Sequence, residues 1–206
     1  MGRRQRSGLD LQFGQGAALV LLGVVFLAGG TVGCLFAGLA DGAGGASLAS
    51  YLADYLTLAA NGTVDRSFWP VLWQEARYFL TAAVLGLTAL GVAGIPAVLC
   101  VRGFFLGFSA ACFCRVFGLA GLIPAAVLFG LPALLWAPAL FLTGVQGVLS
   151  ARCFLLRALG DTRGGQPFST AYWLRLVGCA ALVLACALAE CAAVPVLLRA
   201  AARVVL

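Results

Sequence analysis

The sequence predicts an all-α fold: a polytopic integral membrane helix bundle of about five transmembrane helices, with one amphipathic helix outside the bilayer. Hydrophobic residues make up 63% of the 206 residues and charged residues only 10%, against about 25% charged in an ordinary soluble protein. Residues 78–156 carry just three charges, Arg102, Arg115 and Arg152. As one helix this stretch would be roughly 120 Å long, so it must fold back within a hydrocarbon layer of about 30 Å.

The first span is predicted over about Ala17 to Ala37, after an arm of residues 1–16 that carries three arginines, Arg3, Arg4 and Arg6. The apolar run is longer than the core of a cleaved signal peptide, which is about 7–15 residues. It therefore predicts an uncleaved signal anchor. The arginines place the arm in the cytoplasm by the positive-inside rule.

Residues 41–76 form the one sizeable polar segment and are predicted to be an extracytoplasmic loop. An amphipathic helix is expected there from Ser47 to Asn61-Gly62, because apolar residues recur at helical spacing: Leu48, Tyr51, Leu52, Tyr55, Leu56 and Ala59. One hypothesis lays this helix on lipid or on the end of the bundle. The other hypothesis makes the loop a docking surface for a partner protein, with four anchors: Leu52, Tyr55, Trp69 and Trp73.

Two glycine-containing breaks, Arg102-Gly103 and Gly118–Gly121, are predicted to divide the long apolar block. The second span then covers about 78–101. The third segment, 103–117, is short and either crosses fully or forms half of a re-entrant hairpin. The fourth segment, 122–150, is interrupted by three prolines and is predicted to form either a bent helix or two shorter ones.

The last span is predicted over about Leu174 to Val194, after a cytoplasmic loop at residues 158–170. Arg102 and the cluster of Arg152, Arg157 and Arg163 should both lie inside, so an even number of crossings separates them, and two spans are favoured. An amphipathic tail at residues 195–206 should lie along the outer surface. The whole chain, 1–206, is read as a single membrane domain with its N-terminus inside and its C-terminus outside.

Small residues at four-residue spacing predict two helix-packing faces. Gly29 and Gly33 lie in the first span, and Gly103 and Gly107 lie in the central block. Such spacing forms a groove along one side of a helix, where a neighbouring backbone can approach closely.

Composition also limits the reactions and ligands that the chain could support. The sequence has no histidine, which excludes histidine-based catalytic pairs. Its +6 charge consists of scattered arginines, which indicates membrane flanks rather than nucleic-acid binding. The eight cysteines lie in apolar spans and are read as small buried hydrophobes. No acid except Glu190 lies deep in a predicted span. No catalytic residue, cofactor site or metal site is therefore predicted.

The central block resembles the stage II sporulation protein M family. The resemblance rests on residues 84–108, where Arg102-Gly103 is followed by Gly107-Phe108. It continues in the layout of basic arm, first span, outer loop, apolar block, basic loop and last span, and in three further features: Gly118–Gly121, Pro132 and Pro138.

The resemblance implies a non-catalytic scaffold in the bacterial cell membrane. Such a scaffold localises cell-wall hydrolases, similar to stage II sporulation proteins D and P, at the septum during forespore engulfment. The lipid bilayer and those hydrolases are the expected partners, and homo-oligomerisation is left open. Three alternatives are a component of a transporter or permease, an intramembrane enzyme, and a family-like protein of unrelated role in a bacterium that does not sporulate.

Overall fold

The computed structural model describes residues 2–39, 43–61, 67–159 and 170–205, and the side chains of 14–39, 45–61, 67–159 and 170–201. The structure is 96% helical, and no strand occurs in the described ranges, which confirms the all-α class. Seven α-helices follow in order: α1 (Gly2–Leu39), α2 (Ala43–Ala60), α3 (Phe68–Gly86), α4 (Gly91–Phe117), α5 (Leu122–Ala125), α6 (Leu131–Ala158) and α7 (Thr170–Val205). The cytoplasmic loop predicted at 158–170 lies almost wholly outside the described residues.

Three helical segments are long and apolar enough to cross a membrane: Gly14–Leu39, Gly91–Ala158 and Thr170–Ala201. Large apolar side chains cover their outer surfaces, among them Leu27, Leu134 and Leu174. A soluble protein rarely exposes contiguous apolar surface on this scale, so these side chains fit a lipid environment. The predicted membrane character is confirmed at this level.

Helices α1 and α4 run in the same direction and contact each other at glycines. Phe26 meets Gly103 near the middle of both helices, and Ala37 meets Arg115 near their ends. The four glycines predicted to pack all lie at this crossing, where a Cβ on any of them would overlap a backbone carbonyl oxygen of the other helix: Gly29, Gly33, Gly103 and Gly107. Only residues without a side chain allow the two backbones to come this close.

The predicted chain reversal at Arg102-Gly103 is wrong. Helix α4 runs through both residues without interruption, and the chain reverses instead at residues 87–90, between α3 and α4. The predicted spans 78–101 and 103–117 are therefore replaced by α3 and the 27-residue α4. Gly103 is needed for the close approach of α1, not for a turn, so its presence did not mark a helix end.

The second predicted break is present. Gly118 has a φ of 62°, in the left-handed region that favours glycine, and residues Gly118–Gly121 form a 3-10 turn. A π-helical turn, Ala126–Gly130, then separates α5 from α6. Pro124 and Pro132 flank this turn, and each lacks the N–H that a regular helix would use. The interruption predicted for the fourth segment is thus confirmed.

Helix α7 continues through Pro195, so the separate tail predicted at residues 195–206 is instead the end of the last helix. Leu198 and Ala201 are buried on it. Helix α2 packs against this part of α7 and shares a core cluster with Leu198, to which it contributes Leu52, Leu56 and Ala59. We call this end of the bundle the α2 end.

We expect Gly107→Leu to destabilise the protein by about 2–3 kcal/mol, because a side chain there must push α1 away from α4. Thermal unfolding in detergent measures the effect. Gly23→Leu is the matched control, since nothing lies within 4 Å of a Cβ at that position of α1. Equal melting temperatures for both variants would contradict the packing assignment.

Candidate functional site

A buried ion pair joins α3 to α4. Nη2 of Arg102 donates hydrogen bonds to both carboxylate oxygens of Glu75, at 2.5 Å and 2.7 Å. The side chains are only 11% and 7% exposed, respectively. The pairing follows from the hairpin: α3 and α4 are antiparallel about the turn at 87–90, and this brings residue 75 level with residue 102.

Two aromatic rings complete the environment of Arg102. The carbon at the centre of its guanidinium lies 4.6 Å from the ring centroid of Tyr78 and 4.3 Å from that of Trp136. At these distances the negative faces of the rings attract the cation. Since Tyr78 lies on α3 and Trp136 on α6, a single arginine holds three helices together.

A cavity of about 490 Å³ extends from this ion pair toward the α2 end. The residues of α3 that line the cavity begin beside its start at Ser67 and end at Glu75. These two residues are eight positions apart, so the cavity is about 12 Å deep along the helix. The lining combines polar and aromatic side chains from five helices and the π turn, among them Tyr55, Gln74, Phe105, Ser109, Phe129, Trp136 and Glu190.

Little space continues beyond the ion pair. The pocket on its far side measures only about 10 Å³ and is lined by Tyr78, Phe79, Leu140 and Val183. That volume is at the lower limit for one water molecule. Arg102, its carboxylate partner and the rings around them therefore form a floor rather than part of a continuous polar path.

Charged side chains from three helices are among the described residues that line the cavity. Glu190 of α7 lines it and is 7% exposed, and Glu75 lies at the floor. Arg102 is the one basic residue among the described side chains that line this space. The described part of the lining thus contains two carboxylates and one guanidinium.

The residues predicted to dock a partner lie in different environments. Leu52 is buried in the core cluster, so in this conformation the apolar stripe of α2 caps the bundle and Leu52 is unavailable to a partner. Tyr55 is half-buried and lines the cavity. Trp69 and Trp73 lie one helical turn apart on α3 and are 74% and 65% exposed.

Glu75 was not predicted to be a buried acid. It was predicted to lie in a loop, and Arg102 at the end of a span, but both residues lie within helices, α3 and α4, and are largely buried. One signal was available, because an arginine in the middle of an apolar block needs a compensating partner. In the described part of the chain, no group of three His, Cys, Asp or Glu residues could hold a metal ion, and the eight cysteines are free thiols.

Comparisons with known proteins leave the family open: no family model matches the chain, and neither a curated protein nor a solved structure shows significant similarity to it.

Removing one partner of the ion pair should be costly, because the other charge would stay buried and uncompensated. We expect Glu75→Gln to lower the free energy of unfolding by about 3–5 kcal/mol. The double variant Glu75→Leu/Arg102→Met should recover most of that loss, since a buried pair and an apolar pair of similar volume are often close in stability.

Thermal unfolding in detergent distinguishes the variants. Asp54→Asn removes the same kind of charge from the exposed face of α2 and should have little effect. If Glu75→Gln melts like Asp54→Asn, the ion pair is not a structural requirement.

Proposed function

We propose that the protein crosses the bacterial cell membrane five times, through α1, α3, α4, the broken segment 122–158, and α7. Helix directions support this path. Helix α1 runs in the same direction as α4, and α3 runs in the opposite direction to α4. Gly14 near the start of α1 lies against Leu149 in the second half of α6, so α6 runs opposite to α1. The end of the bundle opposite α2 carries three arginines, Arg152, Arg157 and Arg175. By the positive-inside rule, they favour a cytoplasmic location for that end.

In this topology the N-terminus is cytoplasmic and the C-terminus extracytoplasmic. Reporter fusions after Ala89 and after Leu159 should report the cytoplasm, and fusions after Asn61 and Leu206 the outside. The fusion after Ala89 distinguishes this topology from one in which the chain turns at Arg102, because only the first places residue 89 in a cytoplasmic turn. An outside signal at Ala89 would contradict the proposal.

For the function we propose a non-catalytic membrane scaffold, as the resemblance to the stage II sporulation protein M family implies. The observation that carries the proposal is the exposed pair Trp69 and Trp73 at the α2 end. Aromatic side chains are the anchors that dominate protein interfaces. In the proposed topology this surface faces the cell wall, where hydrolases resembling stage II sporulation proteins D and P would be gathered at the septum during engulfment.

The narrowing of the cavity beyond the ion pair favours a scaffold over the transporter alternative. A permease needs a polar pathway across the bundle, and here the polar lining ends at the floor of Glu75 and Arg102. The broken helix beside the cavity is the feature that a transporter would share. In this conformation the broken helix borders a cavity that opens at the α2 end and narrows at the ion pair.

Trp69→Ala combined with Trp73→Ala should remove the docking surface while leaving the bundle intact, because both rings are exposed. We expect co-purification of cell-wall hydrolases from gently solubilised membranes to fall at least about tenfold, as loss of two aromatic anchors costs about 2 kcal/mol or more. Trp173→Ala is the matched control, since this tryptophan is also exposed but lies near the opposite end of the bundle.

Two outcomes would contradict the docking proposal. One is undiminished recovery of hydrolases with the Trp69/Trp73 variant at normal membrane levels. The other is an equal loss with Trp173→Ala, which would indicate that exposed tryptophans act as interfacial anchors in lipid.

A further inference from the structure

We propose that the outward face of α3 binds the transmembrane helix of a partner protein, and that a carboxylate near the middle of that helix pairs with Arg77. The inference rests on the proposed topology, in which α3 crosses the membrane. It adds to the proposed scaffold function the chemistry of the partner that the scaffold would hold. The observation behind it is a charged side chain on the outside of the bundle, halfway along α3.

Five exposed side chains form one stripe along the outward face of α3. Trp69, Trp73, Leu80 and Val84 are 74%, 65%, 47% and 58% exposed, and Arg77 is exposed among them. At about 100° per residue, all five project within about 80° of one another. We call these five residues the α3 stripe. It is about 22 Å long, and Arg77 is its one charged member.

Arg77 lies at the middle of the helix. Nine residues of the 19-residue α3 lie on either side of it, which corresponds to about 13 Å of helix in each direction. A basic side chain near a helix end can reach the membrane surface, but one deep in the bilayer almost always faces protein or a water-filled cavity. Arginine also stays protonated, so loss of a proton cannot neutralise it. In the proposed topology, the α3 stripe is therefore a surface that protein covers.

The described part of the bundle does not supply a counter-charge at this position. There the polar contacts of Arg77 are with Tyr78: Nη2 donates a hydrogen bond to Oη at 3.4 Å, and the guanidinium carbon lies 4.9 Å from the ring centroid. The same ring also receives Arg102, at 4.6 Å. Glu75 projects from α3 about 160° away from Arg77 and is bound to Arg102. One tyrosine ring thus serves two cations, and only one of them has a carboxylate.

A second copy of this chain does not provide the missing carboxylate. In a symmetric dimer through the α3 stripe, the two copies of Arg77 would face each other at the same depth, and like charges repel. Among the described acidic side chains, Glu75 and Glu190 are buried, and Asp54 is exposed on α2 rather than on a spanning helix. A helix of a different protein, apolar along its length with Glu or Asp near its midpoint, matches both the apolar ends and the charged centre of the stripe.

Binding is measured by fluorescence energy transfer in phosphatidylcholine vesicles between the full chain, labelled through a C-terminal tag, and a synthetic single-span peptide. The peptide has about 20 leucine and alanine residues, enough to cross the bilayer, with one glutamate at its midpoint. A second peptide has glutamine there. We expect saturable transfer with the glutamate peptide and at least about tenfold weaker binding of the glutamine peptide, since glutamine leaves Arg77 without a counter-charge.

Variants of the protein test the same pair from the other side. Arg77→Gln should weaken binding of the glutamate peptide at least about tenfold. Arg77→Glu should reverse the preference, so that a peptide with lysine at its midpoint binds more tightly than the glutamate peptide. Arg175→Gln is the matched control, because it removes an exposed arginine near the start of α7 and should bind the glutamate peptide normally.

Three results would overturn the proposal. The first is binding of the glutamate peptide to the folded parent protein that is no tighter than binding of the glutamine peptide. The second is full affinity for the glutamate peptide in Arg77→Gln. The third is saturable energy transfer between two labelled copies of the protein that Arg77→Gln abolishes, which would assign the α3 stripe to a second copy.

The glutamine peptide leaves the protein unchanged, so the comparison of peptides decides even if a variant fails to fold. The fusion after Ala89 tests the topology, and recovery of hydrolases tests the docking surface. A failure of either is therefore distinguishable from a failure of the charge pairing, which the peptide assay measures without any hydrolase.

Discussion

The salt bridge between Glu75 and Arg102 is the interaction on which the rest of the structure depends. Both side chains are largely buried, and a buried charge is tolerated only when it is paired, so each side chain requires the other. Because they lie on the two arms of one hairpin, their pairing fixes the register of α3 against α4. A shift of one helical turn would leave both charges uncompensated. The same pair closes the cavity and, through Trp136, holds α6 in place.

Adjacent residues of α4 serve different neighbours. Successive residues of a helix point about 100° apart, so Arg102 can face α3 while Gly103 faces α1. The carbonyl oxygen of Phe26 in α1 occupies the space that a side chain at 103 would fill. At the α2 end, the guanidinium of Arg115 donates to the carbonyl oxygens of Ala37 and Gly38, which the end of α1 leaves without helical partners. Glycine contacts and an arginine cap thus hold α1 along most of its apolar length.

The sequence was sufficient to predict elements whose signals are local. The periodic apolar residues of α2 and the break at Gly118 were both found, because helical spacing and a left-handed glycine are properties of short stretches. The same reasoning failed at Gly103, since a glycine that ends a helix and one that admits a neighbouring helix look alike in sequence. It also failed for the cavity. Glu75 and Arg102 are 27 residues apart, and only the position of the turn at 87–90 brings them together.

The two ends of the bundle are packed differently, and the reason lies in α6 and the segment before it. Toward the end opposite α2, Gly86 and Gly147 face each other so closely that a Cβ on Gly86 would lie 2.7 Å from the Cα of Gly147. Glycines there let α6 pack directly on α3 and α4. Toward the α2 end, prolines and the π turn break the helix, and an irregular backbone cannot follow its neighbours as closely. The cavity opens where regular packing stops, with the ion pair at the boundary. A polar, irregular backbone is tolerated at membrane depth only when protein or a water-filled space surrounds it, so the broken helix and the polar cavity require each other.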